Sequence, residues 1–483
     1  MFASPDQPHA AAAAEAATLD QPPEARVMEF VNSRINFERL PVERYDLQDF
    51  KLDRMRELLA RLGNPQQSLP AVHIAGTKGK GSTAAMTASV LAAGGYRVGL
   101  FTSPHLDAIG ERMTINGRLP TADEFREVME IVPPIVHEMD APGPSMRPTF
   151  FECITAMAWV HFLRRGVELV VLEVGLGGRL DATNVCSPLV TVITSISRDH
   201  ERLLGRTLGR IAGEKAGIIK PGIPVLSGVT QPEPRDVIRQ AAAANDAPLY
   251  ELDRNLFWSV AEAHPESAVN DHQPSHDPLT PLVIETQSPW GRHHVRLPLR
   301  GRHQARNALL ALSACDLLAY GSFPLKADAV LRGMADLRWP LRIEVLRRRP
   351  LVIVDAAHND GSIDSLIETL SAVACRTRRL IFATSKDKET LELLIRLNGH
   401  FDEVVLTQFL GNPRSVPLDV LQTMATECLT IPYDVAATPA EAWRIVSGRA
   451  ADDDLICATG SFFLAAEMRS VILADVDRQC FRT

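Results

Sequence analysis

Apolar and polar positions along this chain fall into two recurring patterns. Short apolar runs rich in β-branched residues and bounded by Gly or Pro occur at Ala71–Ala75, Val98–Thr102, Glu168–Val174, Val190–Ser195 and Pro224–Ser227. Such runs read as buried parallel strands, because a strand covered on both faces has no polar side to alternate with. Longer amphipathic stretches separate them at Ser82–Ala93, Thr149–Arg165 and Thr207–Gly217 and read as helices. Thr149 stands three residues before Glu152, the spacing of a capping box. The alternation predicts an α/β fold with a doubly wound, mostly parallel sheet.

A second series begins after a helical run at Gln304–Leu318 and a basic, proline-containing joint at Leu337–Arg349. Its strands are expected at Leu351–Asp355, Leu380–Thr384, Glu403–Thr407 and Asp454–Thr459, with helices near Ser362–Ala372, Lys388–Arg396 and Pro439–Ser447. The expected organisation is therefore a disordered Ala-rich tail over 1–26, a large α/β domain over 27–340, and a smaller Rossmann-like α/β domain over 341–483. An aperiodic stretch at 261–280, rich in Pro, His, Asp and Ser, reads as a loop inserted in the first domain. Its histidines, His264, His272 and His276, have no periodic element to fix them, which argues against a metal site there.

Composition narrows the function classes. A formal net charge of −8 argues against a broad basic face for nucleic acid, since neutralising phosphates takes clustered cations. Seven scattered cysteines with no C-x-x-C pair suggest neither a disulfide framework nor a zinc knuckle. The first 26 residues carry Asp6, Glu15, Asp20 and Glu24 before any basic residue, unlike a targeting presequence, and no apolar run spans a bilayer. A cytoplasmic protein is the expectation.

The chemistry concentrates in three places. Gly76-Thr77-Lys78-Gly79-Lys80-Gly81-Ser82 lies between an expected strand and an expected helix. Glycines there let backbone N–H groups converge on a phosphate, a lysine adds charge, and the helix presents its N-terminus. The spacing is a shortened variant of G-x-x-x-x-G-K-[ST]. Glu173 closes one expected strand before Gly175–Asn184, and Asp199-His200 follow another. Ligands of open α/β sheets bind at such strand ends, and Mg²⁺ prefers carboxylate and phosphate oxygens.

At this point the chain resembles the folylpolyglutamate synthase and dihydrofolate synthase family of the wider Mur ligase group. The resemblance runs from about residue 30 to the C-terminus through HIAGTKGKGSTAAM, TSPHL, ERMTING, TFFE, EVGLGGRLDATN, ITSISRDH, EKAGIIK, GRHQARNALLAL, RWPLR, DAAHN, SKDK and TGSFF. It implies an ATP-dependent ligase that activates the carboxylate of a folate or dihydropteroate as an acyl phosphate, which the amino group of L-glutamate then displaces. One or both of the two synthase activities are compatible with it. A Mur-type ligase acting on another substrate and a non-catalytic ATP-binding homologue are the alternatives.

The resemblance also implies roles. Gly76, Thr77, Lys78, Gly79, Lys80, Gly81 and Ser82 would hold ATP phosphates, with Asn307, Arg342, Asp355 and His358 on the nucleoside side. Ser103, Glu173, His200 and Lys215 would bind Mg²⁺, Lys215 as a carbamate, since an ammonium cannot ligate a cation. Lys80, Glu173, His200 and Lys215 would carry catalysis. Arg112 would clamp a substrate carboxylate and Asp181 would contact substrate. Three departures stand out: Leu341 where the family has Gly, Lys78 where Asn is commoner, and Ser197-Arg198 where Gly and an apolar residue are usual. Leucine lacks glycine's access to positive φ, so a different path to Arg342 is expected.

Overall fold

The computed structural model describes residues 22–40, 44–141, 143–261 and 279–480. The histidines His264, His272 and His276 lie outside the described residues. The first sheet has seven strands: β1 (Ala71–Ala75), β2 (Val98–Phe101), β3 (Met113–Ile115), β4 (Leu169–Glu173), β5 (Pro188–Ile193), β6 (Val225–Ser227) and β7 (Leu249–Glu251). Their order is β3-β2-β4-β1-β5-β6-β7, with β3 antiparallel and the rest parallel. A small antiparallel sheet follows, of β8 (Phe257–Val260), β9 (Val283–Gln287) and β10 (Arg292–Arg296).

The second large sheet contains β11 (Glu344–Arg348), β12 (Leu351–Val354), β13 (Arg378–Phe382), β14 (Glu403–Leu406), β15 (Tyr433–Val435) and β16 (Leu455–Thr459). It is ordered β11-β12-β16-β13-β14-β15, and only the edge strand β11 is antiparallel. Both sheets are thus doubly wound α/β layers.

Strand residues alternate between two cores because successive side chains point to opposite faces. In the first sheet Val72, Ile74, Val171 and Val192 face a core shared with the helices Lys80–Ala93 and His303–Tyr320. Ala71, Val170 and Leu172 face the other, with Phe150–Arg164 and Ala122–Asp140. The capping box forms: Glu152 N donates to Thr149 Oγ1 at 3.3 Å and Thr149 N to Glu152 Oε2 at 2.7 Å. Arg54 Nε donates to the same carboxylate oxygen at 2.7 Å, so one buried group ends a helix and pins a second one.

Two boundaries need correction. A helix, Pro23–Asn32, begins inside the stretch expected to be a disordered tail; Pro at its start pre-sets φ for the first turn, and Val27, Phe30 and Val31 bury its apolar side. The basic joint at 337–349 is only half a joint, because Glu344–Arg348 forms β11, the half-buried edge strand of the second sheet. Charged residues suit such an edge. Among the described residues no helix is long and apolar enough to cross a membrane.

Lys80–Ala93 is held from behind by the helix Ala327–Asp336. An added Cβ on Gly333 would lie 2.4 Å from Val90 Cα and 2.8 Å from Ser89 O. Those are backbone atoms and cannot turn aside. Gly333→Ala should therefore destabilise the fold by about 1–3 kcal/mol, despite alanine's better helix propensity, and urea unfolding monitored by circular dichroism checks this.

Candidate active site

Five strand ends of the first sheet and second sheet open onto one cavity of about 540 Å³, whose lining includes residues just past β1, β4, β5, β12 and β13. Its floor is the turn from Gly76 to Ser82. Gly76 has φ +150° and Gly79 φ +84°; a Cβ on the first would meet Thr194 Oγ1 at 1.9 Å, and on the second Asn307 Oδ1 at 2.2 Å. Only glycine allows both the backbone path and the approach of the neighbouring side chains. The turn is stitched to β5's extension: Thr77 N donates to Ser195 O at 2.8 Å, Lys78 N to Ser195 Oγ at 3.0 Å, and Thr194 Oγ1 to Lys78 O at 2.6 Å. Lys80 and Ser82 open the following helix with its free N–H groups toward the cavity.

Glu173, the last residue of β4, is buried and accepts from Ser103 N at 3.3 Å. Burial raises its pKa while Lys80 opposes the rise. A Cβ on Gly81 would lie 3.3 Å from its Oε2, so this carboxylate sits against the Gly76–Ser82 turn. Lys215, in the helix Leu208–Ala216, is buried and donates to Gly76 O at 2.9 Å. Burial, then the charge of Lys80, lowers its pKa to about 7. His200 follows Asp199 in a left-handed conformation (φ +51°), and burial lowers its imidazole to about 3, which leaves it neutral.

Asp199 binds the two sheets together. Its carboxylate receives Lys388 Nζ at 2.6 Å, Lys78 Nζ at 3.3 Å and Asn359 Nδ2 at 3.2 Å. Lys388 and Lys78 outweigh burial and hold it well below the usual carboxylate range. Lys78 Nζ also donates to His358 Nε2 at 2.8 Å, so His358 Nδ1 carries the proton given to Ala356 O at 2.7 Å. Lys78 thus crosses the cleft to the second sheet.

On that side Asp355 accepts from Ile343 N and Ala357 N, both at 2.8 Å, leaving lone pairs on each oxygen free. Arg342 lines the cavity near it, and Asn307 Nδ2 donates to Gln304 Oε1 at 2.8 Å while its Oδ1 covers Gly79.

Three expected residues sit differently. Arg112 does not line the cavity: it is buried, forks onto Glu38 through two bonds of 2.7 and 2.6 Å, and donates to His105 Nδ1. A guanidinium committed to a carboxylate of its own chain is not an open clamp. Asp181 lines the cavity, but its carboxylate accepts from Leu176 N, Thr183 N and Thr183 Oγ1, the last bonded in turn to His73 Nε2 at 2.9 Å. Leu341 reaches positive φ (+59°) in spite of its side chain, so leucine here does not exclude the left-handed backbone that glycine would allow.

The reading of the sequence also missed residues. Lys388 and Asp387 stand in the SKDK motif that carried no assigned role, and Arg414, which pairs with Asp387 at 2.5 Å, carried no signal at all. Phe37, Tyr45 and Phe50, with ring centroids 4.8 and 5.0 Å from Phe37, form an aromatic wall of the cavity.

Residues 74–315 match the Mur ligase middle domain and residues 341–462 the glutamate ligase domain of Mur ligases. The dihydrofolate synthase/folylpolyglutamate synthase of Bacillus subtilis is 34% identical over 86% of this chain and 94% of its own. The folylpolyglutamate synthase of Lacticaseibacillus casei is 31% identical over 87% and 94%. The structure of Mycobacterium tuberculosis folylpolyglutamate synthase complexed with ADP superposes with a TM-score of 0.81 at 30% identity, covering 93% of this chain and 98% of that one. With both Mur ligase domains matched and relatives above 30% identity over most of its length, the chain belongs to the folylpolyglutamate synthase and dihydrofolate synthase family of ATP-dependent Mur ligases.

Proposed function

We propose that the chain joins L-glutamate to the carboxylate of a folate or of dihydropteroate, at the expense of ATP, through an acyl phosphate. The observation that carries this reading is the single cleft in which the phosphate turn, Glu173, His200 and Lys215 of one sheet face Arg342, Asp355, His358 and Lys388 of the other. A carboxylate is a poor acyl donor until its oxygen becomes a leaving group, and phosphoryl transfer depends on alignment and charge neutralisation. Lys80 and the N–H groups of Gly79–Ser82 hold the β- and γ-phosphates. Asp355 offers both oxygens to the ribose hydroxyls, and Arg342 grips phosphate from the far side. The aromatic wall of Phe37, Tyr45 and Phe50 faces the planar part of the acceptor. Partners are small molecules, and the enzyme is a cytoplasmic monomer without nucleic acid or membrane.

The residues present suit Mg²⁺ on one condition. Among the described residues no three of His, Cys, Asp and Glu converge on one point. Mg²⁺ is content with one or two carboxylates plus phosphates and water, so Glu173, His200 and Ser103 suffice together with an anionic Lys215. The ion, when bound, neutralises charge on the transferring phosphoryl group. Lys215 meets the demand of carbamate formation: its amine, near neutrality, is free to attack CO₂, releasing one proton and turning the side chain into an oxygen-bearing anion. Arg112 orders the segment of Glu38 at the cavity rim.

Glutamate incorporation measured with ATP and Mg²⁺, in parallel on dihydropteroate and tetrahydrofolate, tests the reading; incorporation on neither would overturn it. Lys80→Ala should keep its fold by circular dichroism while turnover at saturating ATP falls ~10²–10³-fold. Glu173→Gln should shift the Mg²⁺ titration to higher concentration, and an unchanged titration would remove Glu173 from the metal set.

Lys215 gives a pH test. The neutral amine predominates above about pH 7, so at limiting CO₂ activity should climb as pH rises through 7, and added bicarbonate should restore the loss at lower pH. Lys215→Ala should be nearly inactive and partly rescued by acetate or propionate. Rescue by small amines would mark a working ammonium instead.

A further inference from the structure

Leu341 and Ile343 flank Arg342, and both adopt left-handed backbone, φ +59° and +49°. A Cβ disfavours that region for any L-residue, and a branched one most of all. Such residues persist only where their surroundings over-determine them, and here they do. Leu341 is fully buried among Val352, Val354, Ile381 and Ile456 on one face of the second sheet. Ile343 is buried among Ile353, Ile363, Leu380 and Phe382 on the other. In an extended chain residues two apart point to the same face. The left-handed turn sends these two to opposite faces, one on each side of the sheet end, and Arg342 is left to project into the cleft between them.

Three hydrogen bonds fix the hump: Leu341 N donates to Glu344 Oε2 at 3.0 Å, Ala356 N to Leu341 O at 3.1 Å, and Ile343 N to Asp355 Oδ2 at 2.8 Å. The guanidinium itself is steadied by its bond to Leu341 O at 2.9 Å. The partner of Ile343 N is the carboxylate that the preceding reading gives to the ribose. We infer that Leu341 and Ile343 are positioning residues for ATP, two apolar anchors driven into opposite cores that hold a strained turn and so aim Arg342 at the nucleotide, with Asp355 coupling that aim to the ribose. The inference rests on the assignment of Arg342 and Asp355 to the nucleotide.

The test combines Leu341→Gly, Leu341→Ala, Arg342→Ala and the double variant Leu341→Gly/Arg342→Ala, read by melting temperature and by steady-state kinetics well below it. Both substitutions at 341 remove the anchor, but only glycine relieves the left-handed strain, so Leu341→Gly should melt several degrees above Leu341→Ala. Leu341→Gly should raise the KM for ATP roughly tenfold, as expected when a charged contact is loosened, and leave the KM for glutamate unchanged. In the Arg342→Ala background the same change should alter the KM for ATP by less than about twofold, because the residue it acts through is gone. An equal loss in both backgrounds, or an alanine variant that melts above the glycine one, overturns the positioning role while leaving the nucleotide reading intact. Wild-type ATP kinetics in Arg342→Ala would overturn that reading and the inference with it.

Discussion

The arrangement depends on a carboxylate held among cations at the meeting of two sheets. Against the cost of burial, Asp199 is held in its charged form mainly by Lys388 from the second sheet and Lys78 from the glycine-rich turn, and Asp199 in turn favours the charged form of both lysines in a buried cleft. Removing one member leaves a buried charge without its partner, far costlier than an exposed pair. This cluster ties the two domains together across the cavity, beside the bonds that Asn412 and Arg414 give to Glu38 O. Asn359 and His358 add neutral contacts to the same cluster, which fix its direction as well as its charge.

Around that cluster the cleft is densely charged. Arg54, Lys78, Lys80, Lys215, Arg306, Arg342, Lys388 and Arg414 line it, against Glu38, Glu152, Glu173, Asp181, Asp199, Asp355 and Asp387. Asp181 and Asp355 each give oxygens to backbone N–H groups, and Asp387 is engaged by Arg414. What remains is a site in which burial first, and then the neighbouring lysines, lower the amines at 78 and 215 to about 7. On the proposed reading, the polyphosphate of ATP would place its negative charge among those lysines in a medium of low dielectric.

The sequence made the inner strands legible because burial on both faces leaves an uninterrupted apolar run: β1, β2, β4, β5, β12, β13, β14 and β16 all lie within a residue or two of their expected places. The edge strands β3, β7 and β15 escaped notice, since three residues are too few to show a period. The helix Ala122–Asp140 was hidden by Pro133 and Pro134 in its interior, although Thr121 and Glu124 form a capping box at its start. The site's local half was readable from strand-end motifs. Its long-range half was not: Arg112 meets Glu38 across 74 positions and Lys388 meets Asp199 across 189, and no spacing along the chain encodes such encounters. The backbone at Leu341 was misjudged because local preference yielded to two cores that outweigh it.

The shortness of those edge strands has a consequence for life in a crowded solution. A sheet edge is a row of unpaired donors and acceptors on which another molecule can build. Here the first sheet ends in three-residue strands on both sides, and the second ends in three-residue β15 and in β11, whose Arg347 and Arg348 carry like charges. A second copy approaching any of these edges finds few bonds to make before the strand runs out or its own arginines are repelled. Neither large sheet therefore offers a long, uncharged edge for a second copy to extend.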